Sequence, residues 1–370
     1  MKYTNKNQRF AITATLVVIV LMALTGCTGN VVKEQETFKI GFSGALTGSN
    51  AALGNSNQKG VAMAVQELNA NGGINGLKVE VLYLDDKFEG KETLTNYQKF
   101  VNMDKVDVVL TTTYEGSLAV ANFADSDEVV VINTIDTSEE LAQLSEYNFA
   151  VGIYDEGIGH SVAEFIPKGA KVGIIYCNSD PFTELVKNSF VEKFQALGGK
   201  ITKIESYEAQ DADFKTQLIK LQELEHIALI GFDEGGLIIK QAKELGIKAK
   251  FVGIDTTSSD LFMTNSQGAA EGMHFTFWEA KDNNKVELFL AKYEEKYGNS
   301  PEQMLFTATG YDTVMLVAEA MKLNKPLKDA LYEIKDFEGL SGSLTMDEDG
   351  IVRSVKESIF VRTKDGFHAI

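Results

Sequence analysis

From Phe38 onward the chain alternates short apolar, β-branched runs with longer stretches in which apolar residues recur at helical spacing. That alternation predicts an α/β fold built of βαβ units around largely parallel sheets. Eight runs have strand length and polar or glycine borders: Phe38–Phe42, Val79–Leu84, Val106–Leu110, Val129–Ile132, Lys171–Tyr176, Ile201–Ser206, Ile227–Ile230 and Phe251–Ile254. Between the first two, Val61, Val65 and Leu68 share one face of a predicted helix, Lys59–Asn69, and Asn71-Gly72-Gly73 supplies the left-handed residues that end it. Later patterns predict a helix ending at Lys296-Tyr297-Gly298, another over Thr307–Lys322, and a last strand pair after Gly339. Roughly eight strands with their helices, over about 330 residues, exceed one ordinary core, so two lobes are expected. The chain should cross between them near Gly152–Asp155 and again near Phe275–Glu279. The expected division is 38–153 plus 280–339 for the first lobe and 154–279 plus 340–370 for the second. Sheets of this kind hold ligands in the loops beyond the carboxyl ends of their strands.

The amino-terminal pattern is different. Lys2, Lys6 and Arg9 precede an apolar run, Phe10–Leu24, that ends in small residues. The run falls short of the roughly 20 residues a membrane span needs, and residues 1–27 are expected to be a signal peptide. Its tail, Leu24-Thr25-Gly26-Cys27, resembles the bacterial lipobox, which implies cleavage before Cys27 and attachment of a diacylglyceryl group to its thiol. Residues 28–37 are polar and aperiodic and read as a flexible tether. The folded part is therefore expected outside the cytoplasm, lipid-anchored to the cell membrane on its periplasmic or outer face.

Composition narrows the functional classes. The 53 acidic against 35 basic residues give a net charge of -18, which repels phosphate backbones, so no nucleic-acid partner is expected. Two cysteines, Cys27 and Cys177, leave no disulfide framework. None of the four histidines sits in an HExxH pair or another zinc spacing. The chain has no GxSxG elbow, GxGxxG fingerprint or phosphate-binding loop, and Gly41–Gly48 lacks the lysine a phosphate cradle needs. No catalytic residue, metal or cofactor is therefore expected, and the chain reads as a binding protein rather than an enzyme.

Four segments carry a family resemblance. Ile40-Gly41-Phe42-Ser43-Gly44-Ala45-Leu46-Thr47-Gly48, then Leu53-Gly54 and Gly60, open the folded part. Val65 to Gly76, followed by Tyr83-Leu84-Asp85-Asp86, forms a helix-turn-strand signature. Gly268 to Met273 comes before the second expected crossing, and Lys292 to Pro301 with Gly310-Tyr311-Asp312 comes after it. Together they resemble the type I periplasmic binding proteins of the leucine/isoleucine/valine receptor family over essentially the whole chain beyond the leader. The resemblance implies two Rossmann-like lobes joined by three crossings, with a ligand held as the lobes close. It also implies an amino acid or related amine or amide as ligand, and the permease and ATPase of an ABC transporter as partners. A ligand sensor feeding a chemoreceptor or kinase is the alternative.

The same resemblance supplies site candidates. Leu53 lies in the opening segment. Thr137 matches the threonine that holds a ligand carboxylate, Ile135 is a neighbour offering backbone atoms, and Tyr114 stands where a serine is usual. Asp136 beside them is a second departure. In the second lobe Phe182 matches a ligand-stacking aromatic, Phe232 and Asp233 follow a strand at another aromatic position, and Asp255 matches the acid that pairs with a ligand ammonium. Independently of the family, an ammonium losing its water in a closing cleft needs a carboxylate partner, and phenyl faces suit an apolar or cationic group. With Asp136, Asp233 and Glu234 nearby, a cationic amino acid or an amine-rich ligand stands beside a branched aliphatic one. The competing reading makes those three acids helix caps and packs Tyr114 against its own lobe.

Overall fold

The computed structural model describes residues 36–48, 50–278, 283–355, 357–364 and 366–370. Cys27, most of the expected tether and Glu279 lie outside these residues. In chain order the first half runs β1 (Thr37–Gly44), α1 (Ala51–Ala70), β2 (Lys78–Asp85), α2 (Gly90–Lys99), β3 (Val108–Thr111), α3 (Tyr114–Asp127), β4 (Val131–Asn133), β5 (Asp136–Thr137), α4 (Glu139–Ala142), β6 (Asn148–Ala150) and β7 (Ile153–Tyr154). The second half begins with α5 (Asp155–Phe165), β8 (Val172–Cys177), α6 (Pro181–Ala196), β9 (Ile201–Tyr207), α7 (Lys215–Leu221), β10 (His226–Ile230), α8 (Gly235–Glu244), β11 (Lys250–Gly253), α9 (Asp260–Ser266) and β12 (His274–Trp278). It finishes with α10 (Asn283–Tyr297), α11 (Met304–Met321), α12 (Leu327–Tyr332), β13 (Phe337–Glu338), β14 (Ser343–Leu344), β15 (Glu357–Thr363) and β16 (Gly366–Ala369).

Two main sheets result. The first has the order β2-β1-β3-β4-β6, and its β1–β3, β3–β4 and β4–β6 pairs are parallel. Its central strand β3 is buried at every position, and its first three residues, Val108, Val109 and Leu110, are apolar, as helices on both faces require. The second has the order β16-β15-β12-β11-β10-β8-β9, parallel from β12 to β9 and closed at the other edge by antiparallel β15 and β16. All eight expected strands are present.

The return to the first lobe is held by α11 lying against α1. Their backbones touch at Gly60, where a Cβ would stand 1.9 Å from the Thr307 carbonyl oxygen, so only glycine fits. Asn57 donates to the Phe306 carbonyl at 2.9 Å and accepts from Thr134 at 2.9 Å, tying both helices to the loop after β4.

The crossings refine the expected boundaries. At the first, expected at Gly152–Asp155, β7 pairs with β5 and α5 begins. At the second, Phe275–Trp278 belongs to β12, a strand of the second sheet. The third corrects the sequence reading, which assigned 340–370 to the second lobe. Ile351 bridges Ala150 at the edge of the first sheet, and Val352 donates to the Ala150 carbonyl at 3.0 Å, so 340–352 stays with the first lobe. Val355 lies beside β7, its carbonyl accepting from the Tyr154 N–H at 3.2 Å.

Candidate functional site

Every loop that meets in the cleft follows the carboxyl end of a parallel strand, or belongs to the first crossing, as the topology demands. After β3, Thr113 adopts an extended conformation and its hydroxyl accepts from the Gly116 N–H at 3.0 Å, capping α3. The N–H groups of Tyr114 and Glu115 lie in the first turn of that helix, where no intrahelical acceptor exists for them. Beside them the Thr112 hydroxyl is buried without a hydrogen-bond partner.

After β4, the Asn133 side-chain oxygen accepts from the N–H groups of both Ile135 and Asp136 at 2.9 Å, which folds the chain into a tight turn. The turn presents Ile135 and Asp136 to the cleft. Gly152 packs against it, and a Cβ there would lie 1.9 Å from the Ile135 carbonyl oxygen.

The second lobe answers with three loops. After β8, Asp180 caps α6 by accepting from the Phe182 N–H at 2.8 Å, and Pro181 fills the first helical turn, so Phe182 is fixed at the helix start. After β10 comes Phe232, and after β11 a tight 3-10 turn, Asp255–Ser258, carries Asp255 and Thr256. These loops line a cleft whose atom-free space, counting the part open to solvent, is about 530 Å³, and Leu53, Phe88, Ile153, Asp155, Ile158 and Phe306 line it too.

Phe88 closes the near side. It and Lys87 both have left-handed backbones, φ +66° and +57°, a rare conformation for side-chain-bearing residues. The carboxylates of Asp85 and Asp86 hold it by accepting from the Lys87 and Phe88 N–H groups at 3.0 Å each. The bend carries the Phe88 ring to within 6.1 Å of the Phe232 ring, edge to face, while the Phe182 ring lies 6.3 Å from that of Phe232.

Acidic side chains dominate the polar part of the lining. Glu115, Asp136, Asp155, Asp180 and Asp255 all contribute, and no lysine, arginine or histidine does among the described residues. Asp155 and Asp255 are 1 % and 6 % exposed, and each has one carboxylate oxygen, Oδ2 and Oδ1 respectively, without a hydrogen-bond partner. Burial pushes the Asp136 carboxyl up to about 8, with the charges of Asp180 and Asp255 adding to it and a bond from Asn133 opposing it. Burial likewise takes Asp255 to about 7 and Asp180 to about 6. Asp155 is raised well above the carboxylate range by burial first and by Asp136, Glu156 and Asp255 after it.

Seven of the expected residues line this cavity: Leu53, Tyr114, Ile135, Asp136, Phe182, Phe232 and Asp255. Two do not. The Thr137 hydroxyl accepts from the Gly152 N–H at 2.9 Å, which commits it to the crossing, and the neighbouring threonines Thr112 and Thr113 face the cavity instead. Asp233 sits at the outer mouth and accepts from Ser259, so it ties β10 and β11 loops together. Glu234 accepts from Tyr207 at 2.8 Å and from the Phe232 N–H at 3.2 Å, again a structural role. Tyr114 lines the cavity with its ring while its hydroxyl donates to Glu140 in its own lobe. Phe88, Asp155, Asp180 and the threonine pair were not singled out from sequence, although Asp180 and Asp155 each follow directly on a strand or crossing.

Two parallel α/β sheets facing one cavity at their strand ends define a two-lobed solute-binding protein of the type I periplasmic class. Residues 37–365 match the family described as periplasmic binding protein, and the chain belongs to it. The Leu/Ile/Val-binding protein homolog 2 of Brucella abortus is 28% identical over 322 residues, 84% of this chain and 86% of that one. The leucine-, isoleucine-, valine-, threonine-, and alanine-binding protein of Pseudomonas aeruginosa is 25% identical over 347 residues, 89% and 91% of the two chains. Among solved structures, the branched-chain amino acid transporter substrate binding protein of Streptococcus pneumoniae in complex with isoleucine superposes with a TM-score of 0.80 at 29% identity, covering 90% of this chain and 99% of that one. The family is one of binding proteins rather than enzymes, and it implies an extracytoplasmic location.

Proposed function

We propose that this protein is the lipid-anchored substrate-binding component of an ABC importer, capturing a small ammonium-bearing solute of the amino-acid class and delivering it to the permease and ATPase. The observation that carries the reading is that an unpartnered carboxylate oxygen of Asp255 and the first turn of α3 line one cavity between the lobes. An ammonium at Asp255 replaces the water that closure removes, since a buried charge without a partner costs several kcal/mol, on the order of 3 to 5. A ligand carboxylate is suited to the opposite wall, where the Thr112 hydroxyl and the free N–H groups of Tyr114 and Glu115 meet the positive end of the helix. Phe182 and Phe232 cover the remaining apolar part of the solute. The names of the relatives, which refer to leucine, isoleucine and valine, support an amino-acid ligand, and the lipobox-like Leu24-Thr25-Gly26-Cys27 supports anchoring through Cys27.

A melting-temperature panel tests this. Free amino acids and amines are compared with their N-acetylated forms, which keep size and apolar surface but lose the positive charge. Stabilisation by at least one free compound, absent with its acetylated form, is expected. Equal stabilisation by both forms would refute the ammonium contact.

A further inference from the structure

We infer that the ligand carries two separated ammonium groups joined by a short methylene chain, as a diamine or a diamino acid does, rather than the single ammonium of an aliphatic amino acid. The inference rests on the proposed solute-binding role of the cleft and sharpens its substrate class.

Charge matching is the first argument. A zwitterion such as leucine brings one ammonium and one carboxylate, and offers no second cation to a cavity lined by five acidic side chains and, among the described residues, no basic one. Two of those acids, Asp155 and Asp255, are more than nine-tenths buried with an oxygen that nothing in the protein satisfies. Natural folds pair such groups, and an orphan carboxylate oxygen on a residue that lines a cavity marks a missing donor.

Spacing is the second. Asp155 begins α5 in the first crossing, whereas Asp255 stands on the turn after β11, so the two unsatisfied oxygens are offered by two separate segments of the wall. Among the described residues no group of three or more acids, histidines or cysteines converges as a metal ion would require. Two unsatisfied acceptors on two segments match a molecule that carries two positive groups. Between them the lining is apolar, with Ile153, Ile158 and Leu53 suited to methylenes and Phe182 and Phe232 presenting ring faces that attract a cation.

The approach to the cavity is the third. The outer mouth of the cleft is lined by Glu89, Glu115, Asp180, Asp211, Asp233 and Glu234 against one basic residue, Lys87. A one-sign funnel of this kind concentrates ions of the opposite sign and speeds their entry.

Titration calorimetry with leucine, lysine and 1,5-diaminopentane decides the matter, run on the full folded chain and on the Asp155→Asn and Asp255→Asn variants after their folding is checked by circular dichroism. Lysine or diaminopentane is expected to bind at least tenfold more tightly than leucine, and each substitution is expected to weaken that binding at least 30-fold. Tight lysine with weak diaminopentane would add a carboxylate contact, and the reverse would exclude one, both within the inference. Leucine binding more tightly than both diammonium compounds would overturn the inference and leave the solute-binding role intact. Failure of all three to bind would overturn the inference and, with no stabilisation in the acetylation panel, the proposed function as well. Diaminopentane binding unchanged in both variants would also overturn it, because the contact would then lie outside the cleft.

Discussion

The molecule buries two kinds of aspartate, and they differ in what surrounds them. Asp312, on α11, accepts from the Leu340 and Ser341 N–H groups at 2.7 Å and from the Ser341 hydroxyl at 2.6 Å. Asp86, at the end of β2, accepts from Ser43, Thr93 and the Phe88 N–H within 3.2 Å. Both serve the frame: one fixes the loop at 340–341, the other holds the left-handed turn that presents Phe88. Asp155 and Asp255 are buried as deeply but keep an oxygen apiece without a donor. Carboxylates that stabilise a fold are surrounded by donors from that fold, and carboxylates left wanting point to a donor that arrives later.

The largest effect expected from this contrast is on stability. Asp312→Ala removes the acceptor of two buried N–H groups and should cost about 3 kcal/mol of unfolding free energy by urea titration. Asp255→Asn should act in the opposite sense. It removes a poorly solvated charge and is expected to stabilise the ligand-free protein by about 1.5 kcal/mol at pH 8 while leaving it nearly unchanged at pH 4. A loss from Asp255→Asn as large as that from Asp312→Ala would erase the distinction.

The pH dependence follows the same sign. The folded-state carboxyls of Asp136 and Asp255 stand at about 8 and about 7, above their ordinary 3.8. The folded state therefore holds protons that the unfolded state has released. The stability this contributes is complete below about pH 3.8 and is lost as pH rises through 7 to 8. Glu156 facing Asp155, Glu357 facing Asp255, and Glu115 and Glu234 facing Asp180 all act in the same direction. A bound cation reverses the balance, so its affinity should rise between pH 6 and pH 8 by up to about tenfold per pH unit for each proton released. Calorimetry in two buffers of different ionisation enthalpy reads that proton count, and a flat profile would contradict it.

The smallest effect belongs to the aromatic closure. Phe88→Ala loses an edge-to-face contact with Phe232 but no charge partner, and should weaken binding about fivefold, in line with about 1 kcal/mol for such a ring pair. The change should appear in the dissociation rate, since the ring closes the cleft after entry.

Much of the frame was legible in the amino-acid pattern because parallel strands buried on both faces, such as Val108–Leu110, read as continuous apolar runs. Pairings between distant segments were not. The short strand β6 and the bridge from Ile351 back to Ala150 carry no local signal, and Gly339-Leu340-Ser341-Gly342 looks like a lobe boundary although the chain returns to the first sheet beyond it. In the site, Asp255 was visible from its place after a strand together with the family resemblance, and Phe182, which opens α6, from the resemblance. Asp180 was masked by its second role as a helix cap, and Asp155 by its place in a crossing. Phe88 was hidden more deeply, since its exposure to the cleft depends on two successive left-handed residues held by Asp85 and Asp86. Thr137 illustrates the converse, because its position along the chain pointed to the ligand while its hydroxyl is spent on the Gly152 N–H.

The most direct measurement is mass spectrometry of the small molecule released by denaturing the protein purified from its native host without added ligand. A compound with two ammonium groups on a methylene chain is the predicted result. Release of leucine, isoleucine, valine or a neutral aromatic acid at one molecule per chain would contradict the account, because such a ligand leaves the buried oxygens of Asp155 and Asp255 without the second charge they are arranged to receive.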